Sequence, residues 1–179
     1  RFPDEYWLRK DKEGGFPDEL HQALARDGWL GVAMPEAHGG SGLGITEAAV
    51  MMQAIAESGA GFSGASAVHM NIFGLNPVVV FGTEEQKRRA LPPLIRGESK
   101  ACFAVTEPDA GLDTTKLKTR AVRDGNRYLV HGQKIWISRV LQSDLMVLLA
   151  RTTPYDELED KTRGLSVFLV DLRTAGSAL

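Results

Sequence analysis

Several features are scarce in this chain of 179 residues, and each scarcity excludes a class of protein. There is one cysteine, Cys102, so a disulfide-stabilised secreted domain is excluded. No apolar run approaches the roughly 18–20 residues of a membrane span, and the first residues lack a signal-peptide pattern. The formal net charge of −2 argues against a mainly electrostatic nucleic-acid binder. We therefore expect a soluble protein of a reducing compartment, with no membrane span and no nucleic-acid partner.

Familiar catalytic signatures are missing as well. No pair among the four histidines has metal-ligand spacing, and no serine lies in a G-x-S-x-G turn. The segment Gly39-Gly40-Ser41-Gly42-Leu43-Gly44 does not have the G-x-G-x-x-G spacing, and no strand precedes it. The basic cluster Lys87-Arg88-Arg89 fits a solvated helix face or, alternatively, a site for the phosphates of a ligand. The sequence thus predicts neither a metal site nor a nucleophilic hydrolase.

The first hundred residues have helical patterns. Residues 17–28 begin with proline and acids and end with glycine, which is typical of a helix. Ile45 to Glu57 has apolar residues at helical spacing, with Thr46 as the predicted N-cap. The residues Thr83-Glu84-Glu85-Gln86 fit a capping box. The helix that they open is expected to stop or kink at Pro92-Pro93.

After residue 100 the period of the apolar pattern changes to two. Two alternating runs flank Asp124-Gly125-Asn126, which is a hairpin signature. Further strands are predicted at Gln133 to Ile137, Leu145 to Arg151 and Leu165 to Asp171, and the polar segment from Thr153 to Arg163 is predicted to be an exposed loop. The second half of the chain is therefore expected to form an antiparallel β module.

Together these patterns predict the α+β class: an all-α helical bundle over residues 1–99, then an antiparallel β-barrel-like domain over residues 100–179. The last predicted strand has about one partner before it, and the residues that follow it are too few to close a barrel. An open edge of this kind is an aggregation hazard. We therefore expect the β domain to be truncated and the chain to be a fragment of a longer protein.

The most informative feature is a pair of segments, Cys102 to Asp113 and Lys134 to Ser138. Each places a short apolar run beside a small hydroxyl residue, Thr106 in the first and Ser138 in the second. Pro108 fixes the backbone just beyond Thr106, and Trp136 offers a large flat face. Such a wall suits a flat heteroaromatic cofactor. On spacing alone, a core tryptophan and a plain turn threonine remain an equally open interpretation.

These two segments resemble the flavin-contacting segments of the acyl-CoA dehydrogenase family. The resemblance extends over Gly28-Trp29-Leu30, the region from Pro35 to Gly44, Phe81 to Lys87, Gly132 to Ser138, and Gly164-Leu165-Ser166, in the family's order. It implies an N-terminal helical domain and a middle β domain. It also implies FAD as the cofactor and oxidation of acyl-CoA thioesters to trans-2-enoyl-CoA, by α-proton abstraction and β-hydride transfer to flavin.

The resemblance also implies which residues contact the cofactor. The residues of the two segments that it assigns to FAD binding are Phe103, Ala104, Val105, Thr106, Gly111, Leu112, Trp136, Ile137 and Ser138.

Two positions depart from the family. Leu112 stands where the family often has a serine that contacts flavin phosphate or substrate, so a substrate-binding role for Leu112 is in question. Arg139-Val140 follows the second segment, where the family tends to have Asn or Gly. The family's glutamate base lies in a C-terminal helical domain, beyond Leu179. We therefore assign no catalytic residue in this chain and expect Glu107 to be structural.

The resemblance implies an acyl-CoA substrate, electron-transfer flavoprotein or a similar acceptor, and a homo-oligomeric parent, either a tetramer or a dimer. It places the protein in the cytoplasm of a bacterium or in the mitochondrial matrix of a eukaryote. The fragment by itself is expected to be inactive. Two alternatives stay open: an acyl-CoA oxidase or flavin monooxygenase of the same fold, and a non-catalytic scaffold, which Leu112 favours.

Overall fold

A computed structural model describes residues 2–174, and the chain divides between Ala101 and Cys102 into two compact units. The first unit is helical and the second is built on a β-sheet. The predicted order, helices and then strands, is confirmed. Residues 175–179 lie outside the described part, as does the predicted truncation beyond them.

Six α-helices lie within residues 2–101 of the helical unit. Their bounds are α1 Asp4–Glu13, α2 Asp18–Arg26, α3 Ile45–Ile55, α4 Gly61–His69, α5 Asn76–Phe81 and α6 Glu84–Ile95. The helix predicted over residues 17–28 is α2, and α3 covers most of the stretch predicted from Ile45.

The predicted cap of α3 is wrong. The helix begins at Ile45, so Thr46 lies inside the first turn and cannot cap it. Instead, the backbone N–H of Gly44 donates to a side-chain oxygen of Glu47 at 2.9 Å. Gly44 is in an extended conformation, which lets it stand at the cap position without a side chain.

By length and composition alone, the helical run Ile45–Phe81 would be apolar enough to cross a bilayer. The run is not one regular helix. The π-helical segments Ala56–Ala60 and Met70–Gly74 separate its α-helices, and Gly59 has a φ of 91°. About 44% of its most apolar window is buried within the protein.

The capping box of α6 is confirmed. Thr83 Oγ1 accepts from the N–H of Gln86 at 3.2 Å, and Gln86 Oε1 accepts from the N–H of Thr83 at 2.8 Å. Of the two outcomes predicted at Pro92-Pro93, a stop or a kink, the stop is wrong, since α6 continues to Ile95. It then ends in a Schellman motif: Gly97 has a φ of 68°, and the Glu98 N–H donates to the Pro93 carbonyl at 2.9 Å.

The core of the helical unit is apolar. Trp7, Leu30 and Val68 are among its buried members, together with Ala48 and Met51. Near the edge of this cluster the hydroxyl of Tyr6 donates to a carboxylate oxygen of Glu19 at 2.7 Å. Burial and this hydrogen bond raise the pKa of Tyr6.

The second unit contains one five-stranded sheet. Its strands are β1 Ala101–Ala104, β2 Arg120–Asp124, β3 Arg127–His131, β4 Leu145–Arg151 and β5 Leu165–Asp171. The order is β1-β4-β2-β3, and β5 pairs along the whole length of β4, from Leu145↔Asp171 to Arg151↔Leu165.

The sheet is mixed and not purely antiparallel as predicted. β2 and β3 form the expected antiparallel hairpin, and Gly125 takes a φ of 64° in its two-residue loop. β4, however, meets β2 in parallel at Arg120↔Arg151. β3 runs antiparallel to β2, so the chain reverses its direction twice between β2 and β4, and these two strands run the same way.

The strand predicted at Gln133 to Ile137 is wrong. This segment lies outside the sheet, although its isoleucines and its tryptophan are residue types that favour strands. Among residues 2–174, a single backbone hydrogen bond joins this segment to the first segment. It runs from the Ile135 N–H to the Thr106 carbonyl at 3.0 Å. The positive φ of Trp136 then ends the extended conformation.

Candidate functional site

The first segment ends β1 in a tight turn. Glu107 and Ala110 exchange two backbone hydrogen bonds, at 2.9 and 3.2 Å, around Pro108 and Asp109. This turn leaves Thr106 half-buried between the strand and the turn. A rigid strand terminus of this kind is a good place to present a hydroxyl group to a ligand.

The structure brings the two predicted segments together. The Ile135 N–H donates to the Thr106 carbonyl at 3.0 Å, and Lys134 Nζ donates to the Val105 carbonyl at 2.8 Å. Two bonds therefore fix the start of the second segment to the end of the first.

A buried ion pair reinforces this junction. Lys134 Nζ lies 2.8 Å from Glu107 Oε1, and the two side chains are only 8% and 4% exposed. Glu107 also accepts from the backbone N–H groups of Lys118 at 2.6 Å and Thr119 at 2.9 Å. A buried charge is costly unless it is paired and hydrogen-bonded, and both conditions are met here.

The electrostatics of the pair follow from these contacts. Burial by itself would raise the pKa of Glu107, but the hydrogen bonds from Lys134, Thr119 and Lys118 outweigh it and lower that pKa from 4.5 to about 2. Burial lowers the pKa of Lys134, and the carboxylate of Glu107 opposes this change. Glu107 is therefore ionised at neutral pH and occupied by its donors.

Trp136 has a strained backbone and an exposed ring. Its φ is 58°, in the left-handed region, and its side chain is 87% exposed. Within residues 2–174 the only other residue besides glycine at positive φ is Arg139, at 55°. Such a conformation costs a bulky residue on the order of 1–3 kcal/mol and persists only where its surroundings impose it. Strain of this kind clusters at functional sites.

The two predicted hydroxyl groups are available for a ligand. Thr106 is half-buried and Ser138 is exposed. Neither hydroxyl makes a hydrogen bond to any of residues 2–174. A hydroxyl can donate one hydrogen bond and accept others, so each can pair with a ring nitrogen or a carbonyl of a bound molecule.

The other predicted site residues lie in different surroundings. Ala104 has no exposed surface and belongs to the core cluster with Ala121 and Leu148, against which Ile137 packs. The side chain of Ala104 is therefore core and not surface wall. The half-buried members of the first segment are Phe103 and Val105.

Gly111 and Leu112 are exposed in the loop after the turn. The side chain of Leu112 is fully exposed, at 103% of its reference area. It can offer apolar surface to a ligand but no side-chain hydrogen bond.

An apolar groove of about 590 Å³ opens beside Trp136 within the β unit. Its wall combines the second segment with the inner side chains of β4 and β5. The apolar residues that line it include Ile135, Trp136, Ile137, Met146, Leu148 and Val170.

Arg139 turns the chain directly after the second segment. Its carbonyl accepts from the Gln142 N–H at 3.1 Å and from Ser143 Oγ at 2.9 Å, which closes the short 3-10 turn Val140–Gln142. Burial lowers the pKa of Arg139 to about 10 and raises the pKa of the Cys102 thiol. The departure noted in the sequence at Arg139 is thus accommodated by a left-handed residue.

Sequence reasoning missed the role of Lys134. Lys134 was included in the second segment but given no function. The sequence offers one sign of this role. Lys134 stands alone at the start of an apolar run, and Glu107 is the one glutamate of the first segment, in a tight turn. Because such a charge must be paired when it is buried, the pattern could have suggested a Glu107–Lys134 contact.

Comparison with known proteins assigns this architecture to a family of flavin enzymes. Residues 4–98 match the acyl-CoA dehydrogenase N-terminal domain, and residues 102–179 match the acyl-CoA dehydrogenase middle domain. The chain belongs to the acyl-CoA dehydrogenase family.

Similar proteins support the assignment. An acyl-CoA dehydrogenase of Bacillus subtilis is 32% identical over 166 residues, which are 93% of this chain and 42% of that protein. The caffeyl-CoA reductase-Etf complex subunit CarC of Acetobacterium woodii is 34% identical over 172 residues, 94% of this chain and 43% of that protein. The chain therefore spans less than half the length of these curated relatives.

Solved structures agree with the fold. An acyl-CoA dehydrogenase from Geobacillus kaustophilus superposes with a TM-score of 0.87 at 28% identity, over 98% of this chain and 45% of that one. The FAD complex of PigA gives a TM-score of 0.84 at 26% identity, over 94% of this chain and 43% of that one. The cofactor of the family to which the chain belongs is FAD.

Proposed function

We propose that this chain supplies one wall of the FAD site in an enzyme that oxidises acyl-CoA thioesters to trans-2-enoyl-CoA. One observation carries the proposal. The exposed indole of Trp136 stands beside two hydroxyl groups without partners among residues 2–174, Thr106 and Ser138, on two segments that are bonded to each other.

The residues present fit a flat heteroaromatic ring. Trp136 offers a planar apolar face, and Val105 and Ile137 extend the apolar surface around it. Thr106 and Ser138 would hold the polar edge of the ring through their hydroxyl groups. FAD, when bound, supplies the acceptor for the hydride that leaves the substrate.

This chain's own contribution is to orient the ring and to exclude water from one side of it. The apolar groove beside Trp136 would keep water from the part of the ligand that it covers. A dry, fixed wall favours transfer between a bound substrate and the ring, because reacting groups gain from being held in place.

Glu107 is not suited to remove the α-proton of the substrate. A general base works best with a pKa near the working pH, and that of Glu107 is held at about 2. Its carboxylate already accepts from Lys134 and two backbone N–H groups. We therefore propose that the 179-residue chain alone does not turn over an acyl-CoA, and that the base is the glutamate that the family places beyond Leu179.

We further propose an acyl-CoA as the substrate, electron-transfer flavoprotein or a similar protein as the electron acceptor, and a homo-oligomeric parent. The name of the relative CarC, a subunit of a reductase-Etf complex, supports the choice of acceptor.

The test is flavin retention and reduction in the full-length protein that contains this chain. We expect Trp136→Ala to lower FAD affinity about tenfold, since one aromatic contact of about 1.4 kcal/mol corresponds to that factor. The matched control is Trp29→Ala, at the other strongly exposed tryptophan, which is 45% exposed in the helical unit. Equal flavin retention in both variants would argue against the proposed site.

Anaerobic addition of an acyl-CoA then tests the reaction. We expect bleaching of the oxidised-flavin absorption band and formation of the enoyl thioester. Rapid reoxidation by oxygen with stoichiometric peroxide would point to an oxidase of the same fold, and the absence of bound flavin would point to a scaffold.

A further inference from the structure

We propose that the buried Glu107–Lys134 pair is a positioning device that holds Trp136 in its left-handed conformation and thereby fixes the direction of the indole. Glu107 and Lys134 would be positioning residues, since neither needs to touch a ligand. That the indole so held contacts FAD rests on the proposed function; that the pair holds the indole does not.

The left-handed backbone of Trp136 is imposed by its surroundings and not by the residue itself. A left-handed backbone is unfavourable for a bulky residue, so something in the structure must enforce it. Packing of the indole cannot do so, because the ring is 87% exposed and makes no ring contact with residues 2–174. The restraint must therefore act through the backbone on either side of Trp136.

On the N-terminal side of Trp136, the backbone is restrained by the bonds of Lys134 and Ile135. Lys134 stands two residues before Trp136, and its ammonium group bonds both Glu107 Oε1 and the Val105 carbonyl at 2.8 Å. Between them, Ile135 is bonded through its N–H to the Thr106 carbonyl. The backbone that enters Trp136 is thus tied to the first segment at two successive residues.

Glu107, to which Lys134 is bonded, is itself held in place by several contacts. Glu107 accepts from the backbone N–H groups of Lys118 and Thr119 and closes the tight turn with Ala110. Its side chain is 4% exposed and that of Lys134 is 8% exposed. A charge-assisted bond between two groups held in this way fixes direction as well as distance.

The same turn provides an internal control. Lys118 and Asp109 form another ion pair, at 2.7 Å, but their side chains are 73% and 68% exposed. That pair lies on the surface of the turn and has no bond to the second segment. If any ion pair near this turn could fix the conformation of Trp136, the loss of either pair would change it. Under our proposal only the loss of the buried Glu107–Lys134 pair does so.

The experiment uses fluorine NMR of the 179-residue protein labelled with 5-fluorotryptophan. The chain has three tryptophans, Trp7, Trp29 and Trp136, and Trp136→Phe assigns the resonance of interest. The main variant is the double change Glu107→Gln with Lys134→Met, which removes both charges and leaves no buried charge unpaired. Lys134→Met alone is the second variant, and Lys118→Met is the control.

We expect the double variant to shift the Trp136 resonance by more than its linewidth or to split it into several resonances. The resonances of Trp7 and Trp29 should stay in place, and Lys118→Met should move none of the three. A folded double variant with an unmoved Trp136 resonance would overturn the proposal. Equal shifts of all three resonances would overturn it too, since they would indicate only a general loss of structure.

FAD titration separates this inference from the proposed function. If the full-length protein binds FAD, we expect the double variant to bind it about tenfold more weakly. If the wild-type full-length protein binds no FAD, the proposed function fails, while the fluorine spectra still decide whether the pair positions Trp136.

Discussion

The two units of this protein are stabilised in different ways. In the helical unit the buried cluster is apolar, with Trp7, Leu30 and Val68 among its members. In the β unit charged side chains are buried beside the candidate site, and Glu107 and Arg151 are only 5% and 4% exposed. Apolar burial is non-directional and tolerates small shifts, whereas a buried charge requires its partners at fixed positions. The helical unit also buries the polar side chains of His21 and Asn71, but the buried carboxylate and guanidinium both lie in the β unit, which holds the candidate site.

Arg151 extends this contrast beyond the ion pair. Its guanidinium donates to the carbonyls of Thr115 at 2.6 Å, Leu117 at 3.2 Å and Arg163 at 3.3 Å. The rigid donor fork of arginine suits a set of carbonyls that converge from separate loops. The loop before β2 and the loop before β5 are therefore joined through one side chain at the end of β4.

The largest expected loss of stability comes from removing one partner of the buried Glu107–Lys134 pair. Lys134→Met leaves the carboxylate of Glu107 buried without its cation, and such a loss typically costs about 3–5 kcal/mol of unfolding free energy. Urea unfolding, followed by circular dichroism, measures it. The control Lys118→Met removes an exposed partner and should leave the unfolding midpoint unchanged within error. Similar losses in the two variants would erase the contrast between buried and surface charge.

A smaller loss of stability is expected when the pH is lowered and Glu107 becomes protonated. The pKa of Glu107 is about 2 in the folded protein and 4.5 ordinarily, so its stabilisation is fully present above pH 4.5 and is lost as the pH falls from 4.5 towards 2. The shift corresponds to about 3 kcal/mol. We expect the difference in unfolding free energy between the wild type and Glu107→Gln to shrink across this pH range. A constant difference between pH 5 and pH 2.5 would contradict the assigned ionisation.

The smallest expected effect lies in the helical unit. Thr83→Ala removes a confirmed N-cap and should lower the unfolding free energy by about 0.5–2 kcal/mol. Thr46→Ala is the matched control, since Thr46 lies inside the first turn of α3 and caps nothing. Thermal unfolding of the two variants gives the comparison. Since alanine has the higher helix propensity at Thr46, equal losses would contradict the assignment of Thr83, and not Thr46, as a stabilising cap.

What could be predicted from the sequence depended on local rules. The capping box at Thr83 and the hairpin loop at Gly125 follow from a few neighbouring residues, and both are present in the structure. The α+β order follows from the change in apolar period, and the family from motifs along the chain. The joining of the two cofactor segments was implied by the resemblance and not by spacing.

The errors arose where distant parts of the chain decide the outcome. The run Gln133 to Ile137 contains residue types that favour strands, but its contacts with Val105, Thr106 and Glu107 hold it outside the sheet. The parallel contact of β2 and β4 depends on β4 lying beside β2 and not beside β3, which no local pattern encodes. α6 continues past Pro92 and Pro93, although each proline removes one intrahelical hydrogen bond, and the last turn buries Leu94 and Ile95 in the unit.

Lys134 also has a consequence for chemical labelling. An amine reacts with acylating reagents only when it is unprotonated and accessible, and Lys134 is buried, hydrogen-bonded to Val105 and paired with Glu107. Lys118, which pairs with Asp109 of the same turn, has a side chain that is 73% exposed. A short pulse of an amine-reactive reagent, read by peptide mass spectrometry, should therefore mark Lys118 and spare Lys134. Labelling of Lys134 then becomes a direct measure of how often this turn opens.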